Sequence, residues 1–161
     1  MNRDAERWKR KLGLKKHPEG GYFAETYNSE VALPMAGFDR PKHILSAIYY
    51  MLVGNQFAAF HRIKSDEIWH HYSGCSLILY SIREGTLSRI KLGKNNFEQP
   101  QAVLHNGSWI AASLRVPKSF CLVGCTVSPG FDYRDWELAR RGELVNLYPQ
   151  CKKIIESHTI V

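Results

Sequence analysis

Between residues 46 and 127, apolar runs of strand length recur at short intervals, and each is closed by turn residues. Residues 46–53 form a near-continuous apolar run with β-branched and aromatic members, which reads as a buried strand ended by Gly54-Asn55. Strands over 57–61, 67–72 and 76–82 follow, then a turn at Arg83-Glu84-Gly85 and a strand over 86–92. Runs 102–104 and 108–113 flank Asn106-Gly107, a strong hairpin signal. Run 120–127 stops at Ser128-Pro129-Gly130. Short strands at regular spacing with turns between them predict an all-β antiparallel sandwich or barrel.

The ends of the chain read differently. Residues 3–12 carry Ala5, Trp8 and Leu12 on one helical face, with Asn2 as a cap and Gly13 beyond the last turn. Residues 143–148, and a segment from Pro149 to about Ser157, read as helices. Residues 28–43, with Pro34, Gly37 and Pro41, read as a loop long enough to form a lid or pocket rim. A chain of 161 residues with 44% hydrophobic content is expected to make one domain, 1–161, with a core that needs no staples.

The formal net charge is +7, but the cations are scattered and no nucleic-acid motif accompanies them, so a solvated basic surface is expected and no nucleic-acid partner. No apolar run reaches the ~20 residues that span a bilayer, and the first residues lack the apolar core of a secretory signal. The expectation is a cytoplasmic protein with no membrane partner. Cys121 and Cys125 lie four residues apart in one strand, about 13 Å at ~3.3 Å per residue. A disulfide needs Cα atoms within about 7 Å, so these two cannot pair, and buried reduced thiols are expected.

Residues 60–74 concentrate three of the seven histidines, His61, His70 and His71, with Asp66, Glu67 and Trp69. They read as two strands joined by a polar turn. In an ideal strand Glu67, Trp69 and His71 share one face, and Phe57, Ala59 and His61 share a face of the strand before. An inward Glu-Trp-His row opposite an inward histidine would supply a base, an acid and a stacking platform for a small molecule.

This stretch resembles the cupin superfamily, small double-stranded β-helix barrels of the jelly-roll type. In the first cupin motif, G-x5-H-x-H-x(3,4)-E-x6-G, the positions of Gly54, Glu67 and Gly74 are kept, but Phe60 and Arg62 stand at the two histidine positions with His61 between them. In the second motif Gly107 is kept and Ile110 stands at the metal histidine. The resemblance is closer to a branch of small uncharacterised single-domain cupins. It is carried by residues 14–22, with His17-Pro18-Glu19-Gly20-Gly21, by residues 60–70 and 124–132, and by Glu143-Leu144 through Tyr148-Pro149.

The resemblance implies a cupin barrel with a short N-terminal helix and C-terminal helices, usually paired as a homodimer. It also implies a pocket like those of sugar-nucleotide epimerases and isomerases. With the metal histidines replaced, no metal or other cofactor is expected. The leading expectation is a metal-independent protein that binds a sugar, nucleoside or sugar nucleotide and acts as an epimerase- or isomerase-like enzyme. His61 and Glu67 are the catalytic candidates. Glu19, Tyr22, Trp69, His71 and Trp109 are the ligand-binding candidates, the aromatic residues as flat surfaces. The alternatives are a non-catalytic ligand-binding or sensory module and a metal-dependent dioxygenase or isomerase.

Overall fold

The protein is described by a computed structural model over residues 2–160. Helix α1 (Arg3–Leu12) opens it. Asn2 accepts the N–H groups of Asp4 and Ala5 at one end, and Gly13 takes the left-handed conformation at the other. The strands are β1 (Lys15–Lys16), β2 (Tyr22–Asn28), β3 (Ala32–Leu33), β4 (Lys42–His43), β5 (Ser46–Gly54), β6 (Phe57–Arg62), β7 (Asp66–Gly74), β8 (Leu77–Arg83), β9 (Thr86–Leu92), β10 (Gln101–Leu104), β11 (Trp109–Leu114), β12 (Ser119–Ser128) and β13 (Glu137–Leu138). Helices α2 (Arg141–Leu147) and α3 (Lys152–Ser157) close the chain, with a 3₁₀ turn beginning on Pro149 between them.

Six strands form one sheet in the order β1-β2-β5-β12-β7-β10, and five form a second in the order β13-β6-β11-β8-β9. The pairings within both sheets are antiparallel. From β5 to β8 each strand changes sheet, the winding of a jelly-roll barrel. The β8–β9 hairpin forms where its turn predicts it, with Glu84 and Gly85 both at positive φ. Asn106-Gly107 corrects the reading of the sequence. It joins β10 to β11, which lie in different sheets, so it is a corner between sheets and not a hairpin. The Asn106 N–H is held there by the Asp66 carboxylate at 2.7 Å. The turn inside residues 60–74 is also a corner, since β6 and β7 belong to opposite sheets.

Side chains from both sheets meet in the interior, among them Tyr50, Leu52, Leu79, Ile110 and Val123. Cys121 and Cys125 point into this core, as strand parity requires, and all four cysteines are free thiols. The two outer faces are covered by the ends of the chain. Helix α1 packs over Met51, Phe120 and Leu122 of the six-stranded sheet. Helices α2 and α3 pack over Phe60, Tyr80 and Trp109 of the other. Among the described residues no helix is long and apolar enough to cross a membrane.

Candidate functional site

A β-bulge decides what enters the barrel on β6. Ala58 pairs with Ala112 and His61 with Ile110, so three steps along β6 match two along β11. Ala58 faces the interior core, Phe60 faces the outer core under the C-terminal helices, and His61 is turned inward. Without the extra residue His61 would sit outside, because strand faces alternate. The three-residue face expected for Phe57, Ala59 and His61 is broken by the same bulge.

The inward His61 is 3% exposed and lines a cavity of about 100 Å³ between the sheets. Its Nδ1 lies 2.8 Å from the Ala59 carbonyl. A carbonyl only accepts, so Nδ1 carries the proton and Nε2 the lone pair. Glu67 enters from β7 in the facing sheet, where its Oε2 accepts the indole N–H of Trp69 at 2.7 Å. Tyr50 packs edge-on against Trp69 with ring centroids 5.5 Å apart.

Glu19 comes from the turn before β2. Gly20 has φ 110°, and a Cβ there would collide with the Phe57 carbonyl. Only glycine lets this turn lie so close to β6, where the Glu19 carbonyl accepts the Ala59 N–H at 2.8 Å. The Glu19 carboxylate is thereby brought 3.2 Å from His61 Nδ1 and 3.6 Å from His17 Nδ1.

Burial sets the protonation of these groups. It pushes the Glu19 carboxyl up to about 8. The Tyr50 hydroxyl and the Trp136 indole oppose that shift, yet neither is spent on the carboxylate. Tyr50 donates to the Gly20 carbonyl at 2.8 Å, and the buried Trp136 Nε1 has no partner within hydrogen-bonding geometry among the described residues. Burial raises Glu67 as well, against the neighbouring His61. Burial lowers His61, and it lowers His17 to about 4 with help from His61. At neutral pH the cavity therefore holds neutral imidazoles beside a protonated Glu19. That is a base with a free lone pair and an acid with a proton to give.

Four of the residues expected from the sequence, His61, Glu67, Glu19 and Trp69, meet in this cavity. Three do not line it. Tyr22 is opposite Met51, and both turn to the outer face under α1. Trp109 lies in the outer core under α2 and α3, because its neighbour Ile110 takes the inward position. His71 is two residues past Trp69, next to a second bulge, and its Nε2 lies 3.3 Å from the Cys75 carbonyl. Conversely, His17, Tyr50, Phe131, Tyr133 and Trp136 line the cavity and were not expected to. Three aromatics within six residues, directly after the Pro129-Gly130 turn, were the available signal for a cap.

Residues 28–43 do not form the rim themselves. They fasten the cap that does. Lys42 Nζ and Arg40 Nη2 reach the Asp135 carboxylate at 2.7 and 2.9 Å, between Tyr133 and Trp136. The Tyr133 ring stacks over His17, 6.3 Å between centroids.

A match to the family model described as "Cupin superfamily (DUF985)" covers residues 6–139. The chain belongs to the cupin superfamily. This cupin is similar to a solved protein of Shewanella oneidensis, with 34% identity, TM-score 0.88 and 97% of each chain covered. It is also similar to a hypothetical protein of Leishmania major, with 29% identity, TM-score 0.92, and 98% of this chain and 99% of that one covered. Oxalate decarboxylase of Bacillus subtilis shares the fold alone, at 11% identity and TM-score 0.57, over 89% of this chain and 36% of that one. No curated protein matches the chain.

Of the cupin metal positions only Glu67 keeps a ligand type, and the residues at the three histidine positions do not fit a metal. Phe60 is in the outer core, Arg62 lies over Trp109 and bonds Glu137, and Ile110 is in the apolar interior. Among the described residues no three His, Cys, Asp or Glu side chains are grouped to hold an ion.

Proposed function

We propose that this cupin binds a small cyclic molecule in the barrel and moves a proton on it without a metal, as an epimerase- or isomerase-like enzyme does. The observation that carries this reading is the convergence of His61, Glu19 and Glu67 in one apolar cavity, with the lone pair of His61 free and Glu19 protonated at neutral pH. His61 Nε2 accepts the proton from carbon, and a carboxyl of Glu19 or Glu67 returns one. The cavity volume suits a single ring, comparable with the roughly 150 Å³ space that holds benzene in an engineered core. Of the sugar, nucleoside and sugar-nucleotide classes, the reading therefore keeps the ring and leaves a pyrophosphate outside. The test combines native mass spectrometry of the purified protein with proton NMR of any recovered molecule in D₂O. Carbon-bound deuterium introduced by the wild type and not by His61→Ala supports the reading. An unaltered ligand after prolonged incubation supports a non-catalytic binding module instead.

Pairing as a homodimer belongs to the same proposal. It is supported by Tyr27, Val31, Leu33 and Ile44, apolar and exposed on and around β2, β3 and β4. A light-scattering mass of one chain removes it. The four free thiols support a reducing, cytoplasmic home.

A further inference from the structure

We propose that the molecule this cavity takes is a small organic cation, an amine-bearing ring whose ammonium is held by the Glu19 and Glu67 carboxyls and by the surrounding aromatic rings. The inference rests on the cavity being the ligand site, and it adds the charge of the ligand.

The protein pairs its other buried acids with fixed cations. Asp135, with a 3% exposed side chain, has Lys42 and Arg40, and Glu98, with a 2% exposed side chain, has Arg115. Glu19, with a 7% exposed side chain, and Glu67, 6% exposed as a whole residue, are also buried, and among the described residues neither has a lysine or arginine partner. Among the described residues no lysine or arginine lines the cavity, although the chain holds 22 of them against 15 acids. A third carboxylate, Glu25, lies at the mouth. A buried carboxyl without a cation is left for something else to neutralise, and a proton does so only until a better partner arrives.

The walls favour the same partner. Phe23, Tyr50, Trp69, Phe131, Tyr133 and Trp136 surround the space. The faces of such rings attract a desolvated cation. An anionic group would instead meet three acids with no compensating charge, and like-charge contact in a desolvated site is strongly disfavoured. The positive charge of the whole surface does not reverse this, because exposed charges are screened over about 8 Å at physiological salt.

Binding and protonation are coupled. The groups that face Glu19 are His17, His61, Tyr50, Glu67, Cys125 and Tyr133. None of them is a fixed cation. An arriving ammonium lets Glu19 ionise and release its proton to solvent, and Glu67, which burial also holds towards the protonated form, is then the carboxyl that returns a proton to the ligand. The unpartnered Trp136 N–H then gains a charged acceptor, a stronger bond than a neutral one.

The experiment is calorimetric titration of the full chain at pH 7 with benzylamine, benzyl alcohol and benzoate, three ring ligands of nearly equal size. Each titration is run in two buffers of different ionisation enthalpy. The expected result is benzylamine binding about tenfold tighter than benzyl alcohol and about a hundredfold tighter than benzoate, with about one proton released. Glu19→Gln and Glu67→Gln, which mimic the neutral carboxyl and keep the fold, should bring benzylamine down to the level of the alcohol. If the alcohol or benzoate binds as tightly as the amine and competes with it, the charge assignment is wrong and the cavity stands as a ligand site. If none of the three binds, or if both Gln variants bind benzylamine unchanged, the cation inference is overturned. Absence of all binding removes the cavity reading with it.

Discussion

His61 Nδ1 lies 3.2 Å from Glu19 Oε2, across the seam between a bulged strand and a diglycine turn. The two residues are 42 positions apart, and each is brought inward by a local departure from regular backbone. The imidazole is fixed by the Ala59 carbonyl, so its tautomer is set before any ligand enters.

Replacing His61 by Ala should leave the barrel folded. The loss is a partly hydrogen-bonded ring next to an existing cavity, so destabilisation of about 1–3 kcal/mol is expected. Far-UV circular dichroism should be unchanged and the melting temperature lower. Ligand affinity and proton transfer should both fall. A variant with wild-type affinity and turnover would take His61 out of the site.

Stability should decline with pH above neutrality. Glu19 titrates near 8 in the fold and near 4.5 when unfolded, so between those values the folded protein holds a proton the unfolded chain has lost. That contribution is complete below pH 4.5 and is lost as pH rises through 8, at up to about 1.4 kcal/mol per pH unit per proton. Glu67, also raised, acts in the same sense. His17, lowered to about 4 from 6.5, acts oppositely: its contribution is present above 6.5 and is lost as pH falls through 4. The opposing effects offset each other in part between 4.5 and 6.5, where His61 and His158, also lowered by burial, act with His17, and from 6.5 to 8 Glu19 sets the slope. Denaturant melts across that upper window should show falling stability in the wild type and a flatter profile in Glu19→Gln. Equal slopes would contradict the buried acid.

The cap should respond unequally to loss of its two ends. Lys42 and Asp135 have side chains only 3% exposed and lie 2.7 Å apart. Asp135→Leu strands the buried Lys42 ammonium, a loss of about 3–5 kcal/mol by comparison with other broken buried pairs. Lys42→Met leaves Asp135 to Arg40 at 2.9 Å and should cost less. The double variant should be more stable than Asp135→Leu alone. Chemical denaturation supplies the three values, and a double variant no better than Asp135→Leu would show that the pair is not coupled.

Gly20→Ala should be disproportionately damaging for a loop position. Its φ of 110° and its approach to the Phe57 carbonyl leave no room for a methyl group. A loss of about 2 kcal/mol or more is expected, together with displacement of Glu19 from His61. The upper-window pH dependence should weaken in this variant as it does in Glu19→Gln. A melt within a degree of wild type would mean that the turn has an alternative conformation.

Much of this protein is set by local patterning, and the sequence carries that part openly. Alternation of apolar and turn residues marks the strands. Asn2 and Gly13 mark the ends of α1, and Pro149 marks the first turn after α2. Glu67 and Trp69 fall on the inward face because an unbroken stretch of β7 obeys strand parity. Where parity is broken, the sequence is silent. Nothing in residues 57–62 says that one extra residue is absorbed between Ala58 and His61, yet that bulge turns His61 in and Phe60 out. Strand parity at Tyr22 and Trp109 is obeyed, but which face is inward depends on which face the terminal helices cover, a long-range choice. The same holds for Asn106-Gly107, whose turn chemistry suits a hairpin and a corner equally until the sheets are assembled. His17, Tyr133 and Trp136 join the site only because separate loops close over one end of the barrel. Short-range propensities therefore determined the strands, the helix caps and the shared face of Glu67 and Trp69. The tertiary structure decided which faces point inward, because that choice depends on contacts between segments far apart in the chain.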